Sequence, residues 1–109
     1  MNKRLHFDNS LVDLILKGEK TTTWRLWDDK DLSVGDIIDC IDMNENRFGT
    51  MELIDVQKKP FREIKESDSQ GHEKFANDEE MYQTYSGYYN RPVDENTIVK
   101  VIRFKLVEG

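Results

Sequence analysis

The sequence is poor in cysteine, in basic charge and in long apolar runs. Cys40 is its single cysteine, so no disulfide can form within the chain and a reduced, cytoplasmic setting is expected. Basic residues near the start, in "MNKRLHFDNS", are not followed by an apolar segment. We therefore expect no signal peptide, and no run approaches the length of a membrane span.

Negative charge exceeds positive charge by a clear margin. The chain has 16 lysines and arginines against 22 acidic residues, a net charge of -6. Because phosphate contacts supply most nucleic-acid affinity, this balance disfavours tight, sequence-independent binding to RNA or DNA, although a local basic groove remains compatible with it. The same charge opposes anionic membranes, so no membrane partner is expected.

Strong catalytic and cofactor motifs are also missing. The sequence has no glycine-rich phosphate loop and no CxxC pair. His6, Cys40 and His72 are far apart in sequence, which disfavours a zinc site. We expect neither a cofactor nor a metal, and we find no sequence feature that indicates a protein partner.

The order of predicted elements favours one α+β domain over residues 1–109, built around a small mixed β-barrel or strongly bent sheet. Leu5 and Phe7 mark a first strand. Ser10 is the predicted N-cap of a short helix that ends at Gly18. Strands follow in "TTTWRLW", "DIIDCIDM" and "FGTMELIDVQ", and "TIVKVIRFKLV" closes the chain. A short helix is predicted after Pro60.

A second helix is predicted in "NDEEMYQTYSGYY", with Asn77 as N-cap and Glu80 completing a capping box. Gly87 is a candidate for an early end.

The segment "GEKTTTWR" carries the candidate chemistry. In a strand, Thr21, Thr23 and Arg25 share one polar face, while Trp24 lies on the other face with the core. Lys20 precedes the strand and joins the polar row only if the turn rotates it there. A lysine whose pKa is lowered by burial or by a cationic neighbour can activate a threonine hydroxyl.

A purely structural interpretation explains the same residues. Threonines are common in strands, and Lys20 can be a solvated turn residue. The acids of "NDEE" suit the positive end of a helix dipole. The residues alone leave both interpretations open.

The stretch "LILKGEKTTTWRL", followed by "LSVGDIIDC", resembles the ASCH domain family, whose fold is a PUA-like barrel. Gly18, Lys20, Thr21, Thr23 and Arg25 fill the family's G-x-K-T-x-T-x-R signature, and residues 34–36 fill its V/P-G-D turn. The resemblance implies a PUA-like β-barrel with two or three short helices.

Within that family the chain looks similar to small bacterial amidohydrolases that remove the acetyl group from N(4)-acetylcytidine. The resemblance implies Lys20 as proton acceptor, Thr23 as nucleophile and Glu79 as proton donor, with Asp78 and Glu80 as alternatives to Glu79. Thr21, Trp24 and Arg25 are the predicted substrate-binding residues. Backbone N–H groups near Lys20 are the expected oxyanion donors.

Two functional hypotheses follow. The first is an amidohydrolase that acts on an N-acylated nucleobase or nucleoside. The second is an ASCH-type module that binds RNA, a nucleotide or a modified base without catalysis. A small-molecule nucleoside or nucleobase is the first expected partner, and RNA is the second.

Overall fold

The computed structural model describes residues 3–27, 30–69, 72 and 75–108. The strands are β1 (Lys3–His6), β2 (Thr22–Leu26), β3 (Ile37–Ile41), β4 (Arg47–Pro60) and β5 (Ile98–Glu108). The helices are α1 (Asn9–Leu16), the short α2 (Glu66–Ser69) and α3 (Asp78–Tyr89), and a 3-10 turn spans Phe61–Glu63. That turn occupies the position predicted after Pro60.

The strands form one curled, five-stranded mixed sheet in the order β1-β3-β4-β5-β2. β1 is parallel to β3, and the other neighbouring pairs are antiparallel. This arrangement confirms the predicted α+β class and the barrel-like mixed sheet. It also leaves β1 and β2 as the two edge strands, so the sheet is open between them.

Two apolar cores lie on opposite faces of the sheet, because side chains alternate along β5. Ile102 and Phe104 join a core with Leu5 and Phe7 from the first strand region. Val99 and Val101 face the other way and pack in the core that contains Trp24. Along β5, Ile102, Phe104 and the partly buried Leu106 belong to the first core, whereas Ile98 is exposed.

Helix α1 begins earlier than predicted. Asp8, not Ser10, is its N-cap, and the Asp8 carboxylate accepts a hydrogen bond from the Ser10 backbone N–H. Aspartate caps helices as well as serine does, and Asp8 is two residues closer than Ser10 to the end of β1. Gly18 has a φ of 78°, the left-handed conformation expected just after a helix.

Helix α3 has the predicted start and a later end. The Asn77 side chain accepts from the Glu80 N–H at 2.8 Å, which confirms Asn77 as the cap. Gly87 does not end the helix, which continues to Tyr89 and stops where Asn90 adopts a left-handed φ of 53°. Over the described ranges, no helix has the length and apolar character needed to cross a membrane.

Cys40 lies in β3 and is fully buried. Burial, together with the nearby Asp39 carboxylate, raises the pKa of its thiol to about 12 despite the opposing effect of Arg47. The reactive thiolate is therefore scarce at neutral pH.

We expect a thiol reagent such as 5,5′-dithiobis(2-nitrobenzoate) to modify native protein at pH 8 far more slowly than guanidinium-denatured protein. The denatured sample is the control, since its Cys40 is exposed to water. Equal rates in the two samples would contradict the buried environment.

Candidate functional site

A cavity of about 320 Å³ lies beside the edge strand β2. We call it the β2 cavity. Residues from the end of β1, the turn before β2, β2 itself and α3 contribute to it. Its described lining consists of His6, Phe7, Asp8, Leu11, Lys20, Thr23, Trp24, Arg25, Met43, His72, Tyr85, Tyr88 and Tyr89.

Lys20 enters this cavity because the chain turns sharply after α1. The left-handed Gly18 reverses the chain, and the backbone N–H groups of Glu19 and Lys20 both donate to the Leu14 carbonyl. The Lys20 side chain is then only 3% exposed, and its Nζ donates to the Thr22 carbonyl at 2.9 Å. The turn thus places Lys20 beside β2 instead of in solvent.

Thr23 and Arg25 lie on one face of β2, as alternation predicts, and both line the β2 cavity with Lys20. The Arg25 Nη2 atom donates to the His6 carbonyl at 2.8 Å. Its guanidinium also lies 4.8 Å from the centre of the Phe7 ring, a cation–π distance. Arg25 therefore connects the two edge strands across the open side of the sheet.

His72, Tyr85 and Trp24 form an aromatic wall. The His72 and Trp24 rings stack with centres 4.0 Å apart and planes 14° apart. The Tyr85 hydroxyl and His72 Nε2 are 3.1 Å apart, within hydrogen-bond distance. Sequence reasoning found no partner for His72, because these contacts join segments distant along the chain and no local pattern marks them.

Asp68 holds the Trp24 side chain of this wall in place. Its backbone carbonyl accepts from Trp24 Nε1 at 3.1 Å. Burial acts to raise the pKa of its carboxyl, but hydrogen bonds from the Lys65 N–H and from Lys59 Nζ outweigh it, and the pKa lies below the ordinary value. The Asp68 carboxylate thereby links the short α2 segment to Lys59 of β4, while the Asp68 backbone carbonyl links it to Trp24 of β2.

The structure corrects where several predicted residues lie. Thr21 is exposed and is outside the lining of the β2 cavity. Glu79 is also exposed and accepts a hydrogen bond from Gln83 on the surface of α3. Neither Glu79 nor its alternatives Asp78 and Glu80 are among the residues that line that cavity.

Asp78 instead lines a second cavity of about 570 Å³ on the far side of Trp24, together with Phe61 and Met81. The Trp24 indole borders both spaces. Asp8 is the acid that lines the β2 cavity among the residues described.

Two of the backbone N–H groups near Lys20, which were expected as oxyanion donors, have another partner. The N–H groups of Glu19 and Lys20 are directed at the Leu14 carbonyl, so they close the turn and do not face the cavity. As for metals, the described ranges contain no cluster of three or more His, Cys, Asp or Glu side chains placed to hold an ion.

The contact between Tyr85 and His72 gives a stability prediction. Tyr85→Phe removes only the hydroxyl and should lower the free energy of unfolding by about 1 kcal/mol, the usual value of one buried hydrogen bond. Tyr88→Phe is the control, since Tyr88 is 72% exposed. Urea denaturation measures both variants, and equal effects would contradict a structural contact at Tyr85.

The Asp68 carboxylate gives a pH prediction. Because its pKa is lower in the folded state than in the unfolded chain, its stabilising effect is complete above the unfolded pKa. That effect is lost as pH falls through the folded pKa, below about 4. Asp68→Asn should be less stable than wild type at pH 7 and should show a smaller loss of unfolding free energy on acidification.

Asp13→Asn, at an exposed position of α1, is the matched control and should follow the wild-type pH profile. The measurement is urea denaturation between pH 7 and pH 2. A profile for Asp68→Asn that parallels wild type would show that the carboxylate contributes nothing.

Comparison with known structures agrees with this fold. An ASCH domain from Lactobacillus crispatus JV V101 has a TM-score of 0.74 at 16% identity, covering 93% of this chain and 72% of that one. A protein from Enterococcus faecalis V583 has a TM-score of 0.80 at 18% identity, covering 99% and 81%. A Pyrococcus furiosus protein, solved by NMR, has a TM-score of 0.67 at 20% identity and full coverage of both chains.

No curated protein matches this sequence. The ASCH domain family, in contrast, matches residues 2–108, which is nearly the whole chain. With the curled mixed sheet and the Gly18-to-Arg25 segment at its edge, this match shows that the chain belongs to the ASCH domain family.

Proposed function

We propose that this protein hydrolyses the exocyclic amide of an N-acylated nucleobase or nucleoside such as N(4)-acetylcytidine. The observation that supports this most is the burial of Lys20 and Thr23 in one cavity. They are 3% and 5% exposed and both line the β2 cavity. A shielded amine and a hydroxyl that line one cavity are the groups that an activated threonine nucleophile needs.

The aromatic wall favours a flat substrate. Trp24 and Tyr85 of the wall line the β2 cavity together with Tyr89, and aromatic side chains stack on nucleobases with little dependence on the identity of the base. The cavity volume of about 320 Å³ is within the roughly 300–1,000 Å³ of small-molecule sites. A single nucleoside suits this space better than a long polymer.

The chemistry begins at Thr23. Its hydroxyl oxygen attacks the acyl carbonyl carbon while the neutral Lys20 amine takes the hydroxyl proton. Removal from water favours the neutral form of an amine, which is the form that accepts a proton. The ammonium formed on Lys20 then lies near the negative oxygen of the tetrahedral intermediate and stabilises it.

The leaving group receives the same proton. As the carbon–nitrogen bond breaks, Lys20 returns its proton to the departing exocyclic amine, leaving an acyl ester on Thr23. Lys20 then takes a proton from water, whose oxygen attacks the ester carbonyl carbon. The bond from that carbon to the Thr23 oxygen breaks, Lys20 returns the proton to this oxygen, and the acyl group leaves as a carboxylic acid. We assign the proton return to Lys20 because Glu79 lies on the surface of α3, away from the β2 cavity.

One observation favours the second candidate, a binding module without catalysis. Lys20 Nζ donates to the Thr22 carbonyl at 2.9 Å, a contact that suits a structural ammonium. In that case the β2 cavity holds a modified base or nucleotide, and Lys20 shapes its edge.

Substitution of the two residues separates these candidates. Lys20→Met and Thr23→Val nearly preserve side-chain volume but remove the base and the nucleophile. Both should lose nearly all hydrolysis of N(4)-acetylcytidine, and the double variant should lose no more, because each change disables the same step. Thr23→Ser should retain part of the activity. The measurement is release of cytidine by purified protein.

Thr84→Val is the matched control, since Thr84 lies on α3 and donates to the Glu80 carbonyl. It should keep wild-type activity. Binding without turnover by wild type would identify a binding module. Full activity of Thr23→Val would refute Thr23 as nucleophile even if the substrate class is right.

A further inference from the structure

Asp8 lines the β2 cavity from the side of β1 and α1. Backbone contacts on both sides fix its position, because the Phe7 N–H donates to the Ile41 carbonyl at 2.9 Å and the Leu11 N–H donates to the Asp8 carbonyl at 2.8 Å. The Asp8 side chain is exposed, so it lies where the cavity meets solvent.

Helix capping accounts for only part of the Asp8 carboxylate. Its Oδ1 atom accepts from the Ser10 N–H at 3.3 Å, and among the residues described this is the only hydrogen bond or ion pair of the side chain. A cap needs one oxygen, and asparagine or serine supplies it equally well. An ionised carboxylate has two oxygens with about four acceptor positions, so Asp8 keeps acceptor capacity for a ligand in the cavity.

Asp8 and Lys20 lie at opposite ends of α1. Asp8 caps the first turn, whereas the Lys20 N–H donates to the Leu14 carbonyl just after the last turn. The helix has eight residues, and a rise of 1.5 Å per residue makes it about 12 Å long. Lys20 leads directly into β2, which carries Thr23. The free acceptor is therefore remote from the two residues proposed to act on the amide.

The shape of an acylated cytidine matches this separation. The exocyclic amide is attached to C4 of the base and the ribose to N1, directly across the ring. When the amide carbon reaches Thr23, the ribose is therefore directed towards the opposite end of the cavity. A carboxylate is a known partner of ribose hydroxyls in dinucleotide-binding folds, and hydrogen bonds from hydroxyls to an ionised carboxylate are short and strong.

We propose that Asp8 recognises the ribose by accepting hydrogen bonds from its 2′- and 3′-hydroxyls, so that the preferred ligand is a free N-acylated ribonucleoside. This proposal rests on the proposed function for the position of the base and its amide. A nucleobase or a deoxynucleoside lacks one or both donors. A phosphate on the ribose is repelled by the carboxylate, in a chain whose net charge is already -6.

Binding of the reaction product tests the ribose contact without turnover. Cytidine has the base and the ribose but no amide, so the protein cannot consume it. Isothermal titration compares cytidine with 2′-deoxycytidine, 3′-deoxycytidine and cytidine 5′-monophosphate. Wild type should bind cytidine about tenfold more tightly than either deoxynucleoside, which is the effect of losing one charge-assisted hydrogen bond. It should also bind cytidine more tightly than the monophosphate.

Asp8→Asn keeps the size of the side chain and the helix cap but removes the negative charge. It should bind cytidine about as weakly as wild type binds 2′-deoxycytidine, and it should melt near the wild-type temperature because asparagine is an equally good N-cap. Asp13→Asn is the matched control, since it removes the same charge from an exposed position of α1. It should keep all the wild-type preferences.

Hydrolysis kinetics separate a binding role of Asp8 from a catalytic one. With N(4)-acetylcytidine as substrate, Asp8→Asn should raise KM about tenfold and leave kcat nearly unchanged, because the ribose contact is the same in the ground state and the transition state. A fall in kcat at unchanged KM would make Asp8 a proton-transfer group and would overturn the ribose contact.

The two proposals can fail separately. If cytidine binds with the expected preferences but N(4)-acetylcytidine is not hydrolysed, the hydrolase is wrong and the ribose contact stands. If N(4)-acetylcytidine is hydrolysed while cytidine and both deoxynucleosides bind equally, the ribose contact is wrong and the hydrolase stands. Preferences that survive in Asp8→Asn, or tighter binding of the monophosphate than of cytidine, would also overturn the ribose contact.

Discussion

The site depends on the contact that Arg25 makes across the opening of the sheet. β1 and β2 are the two edge strands of the sheet, and no neighbouring strand fixes their separation on that side. The hydrogen bond from Arg25 Nη2 to the His6 carbonyl, together with the Phe7 ring beneath the guanidinium, connects them. Because Lys20 and Thr23 lie on one side of this opening and Asp8 on the other, this contact sets the width of the β2 cavity.

The turn between α1 and β2 provides the second constraint. Gly18 adopts a φ of 78°, and the Leu14 carbonyl accepts from two successive N–H groups just after it. These bonds satisfy the backbone of the turn internally, and Lys20 is left with its side chain directed along β2. The geometry of the helix end thus determines that a lysine is buried, which is rare for this residue type.

Local patterns in the sequence predicted the parts of the site that lie within one element. Alternation along β2 was enough to place Thr23 and Arg25 on one face and Trp24 in a core. It could not place Glu79, because the position of α3 relative to β2 depends on how Trp24, Tyr85 and His72 pack together. The helical structure of the α3 segment was predicted correctly, but the acidic residues of its first turn are exposed.

The missed features have the same origin. His72 has no recognisable local motif, and its contacts are formed by residues from β2 and α3.

Trp24 belongs both to the apolar core and to the lining of the β2 cavity. It is 4% exposed, and its ring packs against Phe61 and stacks on His72, while its Nε1 donates to the Asp68 carbonyl. A side chain fixed by so many contacts cannot move far when a ligand enters. The aromatic wall is therefore preorganised, and stacking of the base that we propose as ligand would not carry the entropy cost of ordering a mobile side chain.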